Sequence, residues 1–521
     1  MNPGDYAFEQ RLCDATQSRS LDAAAIAAGR SGYDLMYAAG LAAFRYIAGR
    51  WPETRSMRVF CGAGNNAGDG YVLAALAKEQ GWRVLLAHVK DPDALEGEAA
   101  EAVILARKAE VSMRPVDDAC LRELLALPQE VLLVDALLGT GIQGRPRQNY
   151  AAVIDALNSC DLPVLALDIP SGLNADTGYV EAGCAVRATA TISFIAHKRG
   201  LWTADGPDYV GEYTLATLDV DAGVHAQVNF ADEVFSLEPS GCLCALRRPR
   251  SAHKFRQGQV AVMGGELGMG GAALLSAHAS LCSGAGLVLL LTRTEHLGAA
   301  QSRLPELMTR ALPSSWSDNE QGDEPALRAI LQKSSVIVVG PGLGQNAWGC
   351  AALQAAIDAQ KPLVLDADAL NLLANGAVQL NAGSPVITPH PGEAARLLNI
   401  SVAAVQADRF SAVRALQARY GGVTVLKGAG TLVCDGRQTL VCTRGGPALA
   451  IPGSGDVLAG LIGALIAQGL NSMQAASLGV FAHASAGDNL ATSIGEIGLR
   501  ASDLILAIRA FLNEKAFYVS C

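Results

Sequence analysis

Short apolar runs alternate along the chain with longer segments in which apolar residues recur at helical spacing. Runs such as Val131–Val134 are apolar at every position, which is typical of parallel strands buried on both faces. In the first part of the chain, this pattern predicts strands at Met57–Cys61, Arg83–Val89, Val131–Leu138, Pro163–Asp168, Thr189–Ile195 and Tyr213–Leu218, and helices at Gly70–Gln80, Gly97–Lys108 and Tyr150–Ser159.

The alternation lapses between Phe230 and Gln257, where prolines, glycines and a basic turn replace it, and then resumes. In the second part, the predicted strands are Gln259–Met263, Gly286–Leu291, Val336–Val339, Pro362–Leu365, Pro385–Ile387 and Val423–Leu426, and the predicted helices are Gly271–Ser283 and a long buried one from Ser454. No internal repeat links the two parts. We therefore predict two unrelated α/β domains, at 1–228 and 246–521, joined by a linker at 229–245.

Composition and charge narrow the class of protein. A length of 521 residues, with 50% apolar but only 5% aromatic residues, fits large α/β domains. The net charge of −10 argues against a general nucleic-acid binder. No apolar run approaches the roughly 18–20 residues that span a bilayer. The acidic first segment has no signal-peptide core, so we expect a cytoplasmic protein with reduced thiols, although Cys242 and Cys244 form a close pair.

A glycine-rich segment, GAGNNAGDG at 62–70, follows the first predicted strand and opens a helical pattern. Its spacing fits the dinucleotide fingerprint, with Asp91 at the distance of a ribose-binding acid, yet that signal alone is weak. The fingerprint does not explain Asn65, Asn66 and Asp69, which offer oxygen ligands for a hard cation or for ribose and amide groups. A simple polar turn is the competing interpretation.

Three later segments of the first part also place polar residues at predicted strand ends. They are VDALLGTGIQGR at 134–145, DIPSGLNADTG at 168–178 and HKRG at 197–200. Ligands of parallel sheets bind at the carboxyl ends of strands. We therefore expect convergence on one crevice of Asn66, Asp135, Asp168, Ser171 and Lys198. Each of these residues alone is also compatible with a capping or turn role.

A second glycine-rich segment, PGSGDVLAG at 452–460, opens the long helix of the second part. The amides of Gly453–Gly455 at a helix N-terminus are suited to hold a transferring phosphoryl group, and Asp456 to accept the proton of an attacking hydroxyl. An Asp in a first helical turn is also explained by the helix dipole alone. Further polar or glycine-rich segments accompany it: GGELGMGGA at 264–272, GPGLG at 340–344, DADALN at 366–371, TPHPGE at 388–393 and KGAGT at 427–431.

The segments of the first part, in this order, resemble the NAD(P)H-hydrate epimerase domain over about residues 10–220. The resemblance implies a Rossmann-like three-layer sandwich. It implies hydrate contacts at Asn65, Asn66, Ala67, Gly68, Asp69, Gly139, Thr140, Gly141, Ile142, Gln143, Gly144, Arg145, Tyr150 and Asp168, and a K⁺ site formed by Asn66, Asp135 and Ser171. Ala63 and Ala67 depart from the family pattern. For the inversion of the hydrate carbon, we expect Asp168 to handle the proton and Lys198 to assist it.

The segments of the second part resemble the ribokinase-like superfamily and, more narrowly, its NAD(P)H-hydrate dehydratase branch, over about residues 245–510. The resemblance implies a three-layer α/β domain with Asp456 as the catalytic base. It implies hydrate contacts at Ala272, Gly344, His390 and Asp456, and nucleotide contacts at Lys427, Gly428, Ala429, Gly430, Thr431 and Gly455. It also implies ADP as phosphoryl donor, with Mg²⁺.

Together the resemblances imply a bifunctional enzyme, an isomerase and a lyase, that repairs hydrated NADH and NADPH (NADHX and NADPHX). The epimerase supplies the S form, which the dehydratase returns to the reduced cofactor while ADP gives AMP and phosphate. We expect small-molecule substrates, no nucleic-acid or membrane partner, and a homo-oligomer. The rival hypotheses are a small-molecule kinase with a regulatory N-terminal domain, and a nucleotide-binding or partner-binding module fused to a degenerate kinase.

Overall fold

The computed structural model describes residues 10–514, apart from 125, 221, 229, 231, 239, 314–322 and 381–382. These residues form two compact units that divide between Val234 and Phe235. Each unit is built from helices and a largely parallel sheet, so the predicted α/β fold class is confirmed. The division falls inside 229–245, and that segment carries a short strand, Val234–Ser236, and a short helix, Ser240–Cys244.

The N-terminal unit contains a seven-stranded sheet and a separate two-stranded one within the described residues. Its strands are β1 Leu12–Cys13, β2 Ser56–Cys61, β3 Arg83–His88, β4 Ser112–Pro115, β5 Val131–Ala136, β6 Val164–Leu167, β7 Ala190–Phe194, β8 His197–Lys198 and β9 Glu212–Ala216. Its helices are α1 Ala15–Ala27, α2 Gly32–Arg50, α3 Asn65–Glu79, α4 Gly97–Lys108, α5 Asp118–Leu124, α6 Gln148–Asn158, α7 Pro207–Val210 and α8 Ala222–His225.

The strand order of the larger sheet is β4-β3-β2-β5-β6-β7-β9, and all neighbouring strands run parallel. The chain first adds strands on one side of β2 and then crosses to β5 on the other side. Crevices at such reversal points, outside the carboxyl ends of the strands, are where parallel sheets bind ligands. Every residue of β5 is buried, as its continuous apolar run predicts.

The C-terminal unit holds the remaining elements. Its sheet consists of β10 Val234–Ser236, β11 Gln259–Met263, β12 Leu287–Thr292, β13 Met308–Ala311, β14 Val336–Val339, β15 Leu363–Leu365, β16 Val386–Ile387, β17 Val423–Leu426, β18 Leu432–Cys434 and β19 Thr439–Val441. Its helices are α9 Ser240–Cys244, α10 Gly270–Cys282, α11 Thr294–Arg303, α12 Asp323–Lys333, α13 Ala347–Asp358, α14 Asp368–Ala374, α15 Pro391–Leu398, α16 Val402–Ala407, α17 Arg409–Tyr420, α18 Ser454–Ala467, α19 Ser472–Ile494 and α20 Ala501–Phe511.

The order of this sheet is β10-β19-β18-β17-β16-β15-β14-β11-β12-β13. The seven strands from β17 to β13 are parallel, and β18 and β19 add antiparallel pairs at one side. The parallel part winds around β11 and β14 in the same order as the N-terminal sheet winds around β2 and β5. Two segments without a sequence repeat thus share one strand order, each with one reversal point.

Helix α18 is a core helix, as its apolar sequence predicts. All eleven residues of the run Val457–Ala467 are apolar or glycine, and all of them except Ile466 are buried. Glycines let it approach its neighbours: a Cβ on Gly460 would lie 2.0 Å from the Ser276 carbonyl oxygen, and one on Gly463 would lie 2.4 Å from Val338 Cγ2. None of the described helices is both long and apolar enough to cross a membrane.

Two sequence expectations need correction. Helix α3 begins at Asn65 rather than Gly70, so most of the first glycine-rich segment is helical and not a loop. Cys244 is disulfide-bonded, whereas the expectation was that all thiols are reduced. The other cysteines of the described residues are free.

Candidate active sites

A cavity of about 530 Å³ opens at the carboxyl ends of the N-terminal sheet. Helices α1 and α2 and the segments that follow β2, β5, β6 and β7 line it. Of the predicted site residues, those that line it are Asn65, Asn66, Asp69, Gly139, Thr140, Gly141, Ile142, Tyr150, Asp168 and Lys198. Those that do not are Ala67, Gly68, Asp135, Gln143, Gly144, Arg145 and Ser171. Leu35 and Met36 of α2 add an apolar wall.

The N-terminus of α3 is held against the segment after β5. Gly62 makes this approach possible, because a Cβ at that position would lie only 1.8 Å from the Leu137 carbonyl oxygen. The buried Asn66 donates from Nδ2 to the Leu138 carbonyl oxygen at 3.1 Å. Its Oδ1 is buried and has no hydrogen-bond partner among the described residues. Asn66 therefore presents an acceptor oxygen that the protein itself does not satisfy.

Asp135 and Ser171, at the ends of neighbouring strands, form a fully buried pair. The Ser171 hydroxyl donates to Asp135 Oδ1 at 2.6 Å, and the Ser171 amide donates to Oδ2 at 2.8 Å. The Leu138 amide donates to Ser171 Oγ at 2.8 Å. Burial raises the pKa of Asp135 to about 6, although hydrogen bonds from Ser171 and Leu137 oppose that shift. No ion pair to Asp135 occurs among the described side chains.

Asp168 and Lys198 form the ion pair of the cavity. Asp168 follows β6 with φ +64°, a left-handed conformation that is uncommon outside glycine and is found at functional sites. Its Oδ1 accepts from Lys198 Nζ, from the Phe194 amide at 3.1 Å and from Ser193 Oγ at 3.3 Å. Lys198 also donates to the Phe194 carbonyl oxygen at 2.7 Å. The strand-end segment after β7 thus fixes both charged groups.

Three further carboxyls, those of Asp22, Asp69 and Glu98, share this cavity. Burial raises the pKa of Asp69 well above its ordinary value, the negative charges of Asp168 and Asp22 raise it further, and Lys198 opposes them. Asp22, from α1, also lines the cavity. Four carboxyls face this cavity against two cations, Lys198 and Arg19. This excess of acidic groups favours a ligand that carries or develops positive charge.

In the C-terminal unit, the segments after β11 and β14 bind each other at the reversal point. The Gly265 amide donates to the Pro341 carbonyl oxygen at 3.1 Å, and the Glu266 amide donates to that of Gly342 at 2.7 Å. The Glu266 side chain accepts from Arg293 Nε at 2.9 Å and Nη2 at 2.7 Å. This Arg293 guanidinium holds the pKa of Glu266 low, at about 2. A charged network therefore fixes the glycine-rich segment.

Lys427, at the end of β17, lies among acidic groups. Its Nζ donates to Asp366 Oδ1 at 2.8 Å and lies 3.8 Å from Glu393 Oε2. Thr388 Oγ1 donates to the same Asp366 oxygen at 2.8 Å. Burial lowers the pKa of Lys427, but Asp366 and Glu393 outweigh it and raise the pKa overall. The lysine therefore remains a cation in this cluster.

Asp456 lies in the first turn of α18, beside the same cluster. Burial and the negative charge of Asp366 raise its pKa to about 7, while Lys427 opposes the shift. A side chain of α19 fixes the start of α18, because His483 Nε2 lies 3.1 Å from both the hydroxyl and the carbonyl oxygen of Ser454. Burial lowers the pKa of His483 to about 4, so this histidine is neutral at pH 7. The site combines a near-neutral carboxyl with a fixed helix N-terminus.

The other predicted residues of the second part lie around these groups. A Cβ on Gly342 would lie 3.2 Å from Ala272 Cβ, and the Gly344 amide donates to Asp368 Oδ2 at 2.9 Å. A Cβ on Gly455 would lie 3.1 Å from Lys427 Nζ. In the 427–431 segment, Thr431 Oγ1 donates to the Gly428 carbonyl oxygen at 2.9 Å. His390, Lys427 and Asp456 thus sit near one carboxylate, Asp366, whose charge acts on each of them.

His390 also has a structural role that its sequence context did not predict. Its Nδ1 accepts from the Gly392 amide at 2.9 Å and so caps helix α15, while Glu393 accepts in return from the His390 amide at 2.8 Å. Burial lowers the pKa of His390, and the charges of Lys427 and Arg396 lower it further. The side chain remains half-exposed, which leaves it able to contact a ligand.

Comparison with known proteins settles the family. The family described as YjeF-related protein N-terminus matches residues 32–200, and that described as NAD(P)H-hydrate dehydratase matches residues 260–509. The bifunctional NAD(P)H-hydrate repair enzyme of Coxiella burnetii is 43% identical over 95% of this chain and 98% of its own length. That of Escherichia coli is 41% identical over 94% of this chain and 91% of its own. The chain is a bifunctional NAD(P)H-hydrate repair enzyme by family.

The predicted family is thereby confirmed, and neither the small-molecule kinase nor the non-catalytic module is favoured. Among solved structures, a ribokinase-like superfamily protein from Enterococcus faecalis is 26% identical, with a TM-score of 0.49, over 56% of this chain and 98% of that one.

For this repair-enzyme family member, the structure adds acidic residues to which the sequence assigned no role. Asp366 and Glu393 stand in motifs that the sequence singled out, so their positions were visible but their convergence on Lys427 was not. Asp22 belongs to no motif. Its only sequence signal is an acid in the middle of an alanine-rich helix.

The acidic residues of this repair enzyme raise the question of where it could bind metal ions. No group of three or more His, Cys, Asp or Glu side chains in the described part of the chain is placed to hold a metal ion. The oxygens around Leu138 form a different type of possible cation site, which mixes side-chain types. They include the unpartnered Asn66 Oδ1 and the buried Asp135 carboxyl. Amide and carboxylate oxygens are ligand types that hard cations take in proteins.

Proposed function

We propose that this chain epimerises the R and S forms of NADHX and NADPHX in its N-terminal domain and dehydrates the S form in its C-terminal domain, with conversion of ADP to AMP and phosphate. The domain bounds that we propose are 1–228 and 246–521. The observation that carries the proposal is a separate cluster of carboxyls around one lysine in each unit. Asp168 pairs with Lys198 in the first, and Asp366 and Asp456 lie beside Lys427 in the second.

The first reaction requires that a carbinolamine lose its hydroxyl and regain it from the other face. The carbon becomes planar and cationic, or the ring opens, between the two steps. Asp168, fixed by three donors, is placed to stabilise that positive charge and to exchange a proton, with Lys198 as its partner. The proposed hydrate contacts that line the cavity include the amide side chains of Asn65 and Asn66, which suit a carboxamide substituent.

A K⁺ ion at Asn66, Asp135 and Ser171 is part of the proposal. The unpartnered Asn66 oxygen and the buried Asp135 carboxyl support it, since a cation there would favour the ionised carboxylate. When bound, such an ion supplies positive charge and orients oxygen ligands. Asn66 and the 138–142 segment then bind the hydrate in a fixed geometry.

The second reaction starts from a poor leaving group, the hydroxyl of the hydrate. Asp456 accepts the proton of this hydroxyl as it attacks the terminal phosphoryl group of the nucleotide, and the Gly453–Gly455 amides stabilise the charge that develops. The ring nitrogen then expels phosphate, and loss of a neighbouring proton restores the dihydronicotinamide. The pKa of Asp456, about 7, suits a base at neutral pH.

Mg²⁺ is proposed at the nucleotide phosphates of this site. It commonly binds through one or two carboxylates, phosphates and waters, so it does not require a cage of three acidic side chains. Asp366 and Glu393 offer carboxylate oxygens, and Lys427 balances part of their charge. Bound there, Mg²⁺ neutralises phosphate charge.

The fate of the phosphoryl group tests this proposal against a small-molecule kinase. Phosphorus NMR of S-NADHX incubated with ADP, Mg²⁺ and the protein will show AMP and inorganic phosphate in amounts equal to the NADH formed. A stable phosphorylated product, or nucleotide turnover without NADH, would refute the dehydratase assignment. The Asp456→Asn variant is the control for spontaneous dehydration.

A further inference from the structure

Helix α1 forms a wall of the N-terminal cavity that does not belong to the sheet. Ser18, Asp22 and Ile26, spaced four residues apart on one face, all line the cavity, while Leu21 on another face is fully buried. The helix is firmly placed. A capping box closes its first turn, and the Ala15 amide donates to Asp176 Oδ1 at 2.6 Å. The carboxyl of Asp22 is thus held at the cavity by a fixed element.

The fold does not explain Asp22. Asp is a poor helix former away from the N-terminus, and this residue lies in the middle of α1. Its carboxyl has no hydrogen-bond or ion-pair partner among the described residues. The side chain is exposed, and the space that it faces is the cavity. A carboxyl that costs helix stability and makes no hydrogen bond or ion pair within the described residues is available to act on a ligand.

The charges around Asp22 suit proton transfer. Desolvation by the cavity walls, together with the negative charge of Asp168, raises the pKa of Asp22 to about 6. The positive charges of Lys198 and Arg19 oppose this shift. The other titratable groups that face the same cavity are Asp69, Glu98 and Tyr150. Both protonation states of Asp22 are therefore accessible near neutral pH, which is the condition for efficient general acid–base catalysis.

We propose that Asp22 is a second catalytic carboxyl of the epimerase site and works with Asp168 from a different wall of the cavity. This inference rests on the proposed epimerase function. Asp168 Oδ1 already accepts from three donors, so Asp168 enters the reaction as the acceptor, and Asp22 enters as the donor.

The proton transfers balance as follows. The Asp22 carboxyl gives its proton to the hydroxyl oxygen of the hydrate, the C–O bond breaks, and water leaves with the bonding electron pair. The ring-nitrogen lone pair forms a C=N bond. A water molecule then adds to the other face, and Asp168 takes its extra proton. Exchange with solvent through the open cavity resets the two carboxyls, and the reverse epimerisation exchanges their roles.

The test is direct chromatography of the two NADHX epimers, with the full-length protein and no nucleotide. We expect Asp22→Asn to lower kcat for epimerisation by about 100-fold, the lower range for a positioned acid or base. The KM should change less than about twofold, and the melting temperature should not fall. The wild-type rate should decline as pH rises past about 6, where Asp22 loses its proton, and the variant should lack this limb.

Two companion variants separate chemistry from structure. Asp22→Glu retains a carboxyl and should recover part of the rate. The double variant Asp22→Ala/Ala23→Asp restores the helix charge one position away, at a residue that does not line the cavity, and should stay inactive. Asp22→Asn at the wild-type rate, or a rate restored by Asp22→Ala/Ala23→Asp, would overturn the role of Asp22. A wild-type protein that does not accelerate epimerisation would instead overturn the proposed function.

Discussion

Buried or crowded carboxyls with raised pKa values are common to both sites. Burial raises the pKa of Asp69, Glu393 and Asp456, and one lysine in each site, Lys198 or Lys427, opposes part of the shift. Each site therefore contains more acidic groups than cations. Such an arrangement is costly for folding but supplies carboxyls that change protonation near neutral pH.

Substitution of Asp456 is expected to abolish most of the dehydratase activity. Asp456→Asn should lower dehydration by at least about 1,000-fold and leave epimerisation unchanged, because it removes the base but no group of the N-terminal site. For the wild type, kcat/KM of dehydration should rise with pH through about 7, where the base loses its proton. Absorbance of the reduced nicotinamide at varied pH measures this, and an activity that falls through that range would contradict it.

The same carboxyl predicts an effect on stability. Its pKa is about 7 in the folded protein against an ordinary value of 3.8, so the fold favours the protonated form. The stability that this preference contributes is present at low pH and is lost as pH rises from 3.8 towards 7. Asp456→Asn should therefore raise the melting temperature of the C-terminal domain at pH 8 and change it little at low pH. Glu496→Gln, which changes an exposed carboxyl of the same domain, serves as the control.

Substitution of Asp168 is expected to reduce epimerisation in the same way. Asp168→Asn should lower epimerisation by at least about 100-fold, because it removes both the proton acceptor and the negative charge that stabilises the cation. Dehydration of pure S-NADHX should be unaffected. Chromatography of the epimers without nucleotide follows the first rate. Epimerisation at the wild-type rate would exclude Asp168 from the mechanism.

At the scale of elements, the long buried strands and the helices with clear periodicity were predictable from sequence. Strand β14 and helix α4 occur at the predicted residues. The strands β4, β13, β18 and β19 were not predicted. In β4 and β13, the reason is that polar residues interrupt the continuous apolar run that marks β14. Helix α1 was missed for another reason: its alanine-rich sequence has little amphipathic contrast.

The sites were predictable only in part. Motifs identified residues at strand ends, and the parallel sheets bring Asn66, Asp168 and Lys198 to one cavity. Asp22 could not be found in this way, since it comes from a helix outside the sheet and its position depends on tertiary packing. The start of α3 at Asn65 was also not predictable, because the glycines of 62–70 favour a turn in sequence but are needed for close packing.

The junction of β2 and α3 provides a matched pair of glycine variants. Gly62→Ala would place a Cβ 1.8 Å from the Leu137 carbonyl oxygen, so the segments after β2 and β5 must separate. We expect a loss of about 2–4 kcal/mol in stability of the N-terminal domain, with loss of epimerase activity. Gly64→Ala has no atom within 4 Å of its Cβ and should cost much less. Thermal unfolding of both variants measures this, and equal effects would contradict it.

At the scale of the whole molecule, each proposed active site is built within its own compact unit. The residues of the first run from Ser18 to Leu218, and the interacting residues of the second run from Glu266 to His483. Since neither site requires a residue of the other unit, the two activities should separate cleanly in single-site variants. Both sheets share one strand order, and each unit carries its own site.

This separation predicts complementation between chains. Asp168→Asn and Asp456→Asn should each fail to convert mixed epimers completely at the wild-type rate, for opposite reasons. An equimolar mixture of the two variants should restore complete conversion, because epimers released by one chain reach the other through solution. Conversion by the mixture that stops at the S content, apart from spontaneous epimerisation, would show that the two sites must act within one chain.

The central claim is that one chain both epimerises and dehydrates the damaged cofactor. The most direct measurement incubates the wild-type protein with mixed R- and S-NADHX, ADP, Mg²⁺ and K⁺, and follows the absorbance of the dihydronicotinamide. We predict complete recovery, at a rate well above spontaneous epimerisation. Recovery that stops at the S content would contradict the epimerase assignment, and no recovery with either ADP or ATP would contradict the dehydratase assignment.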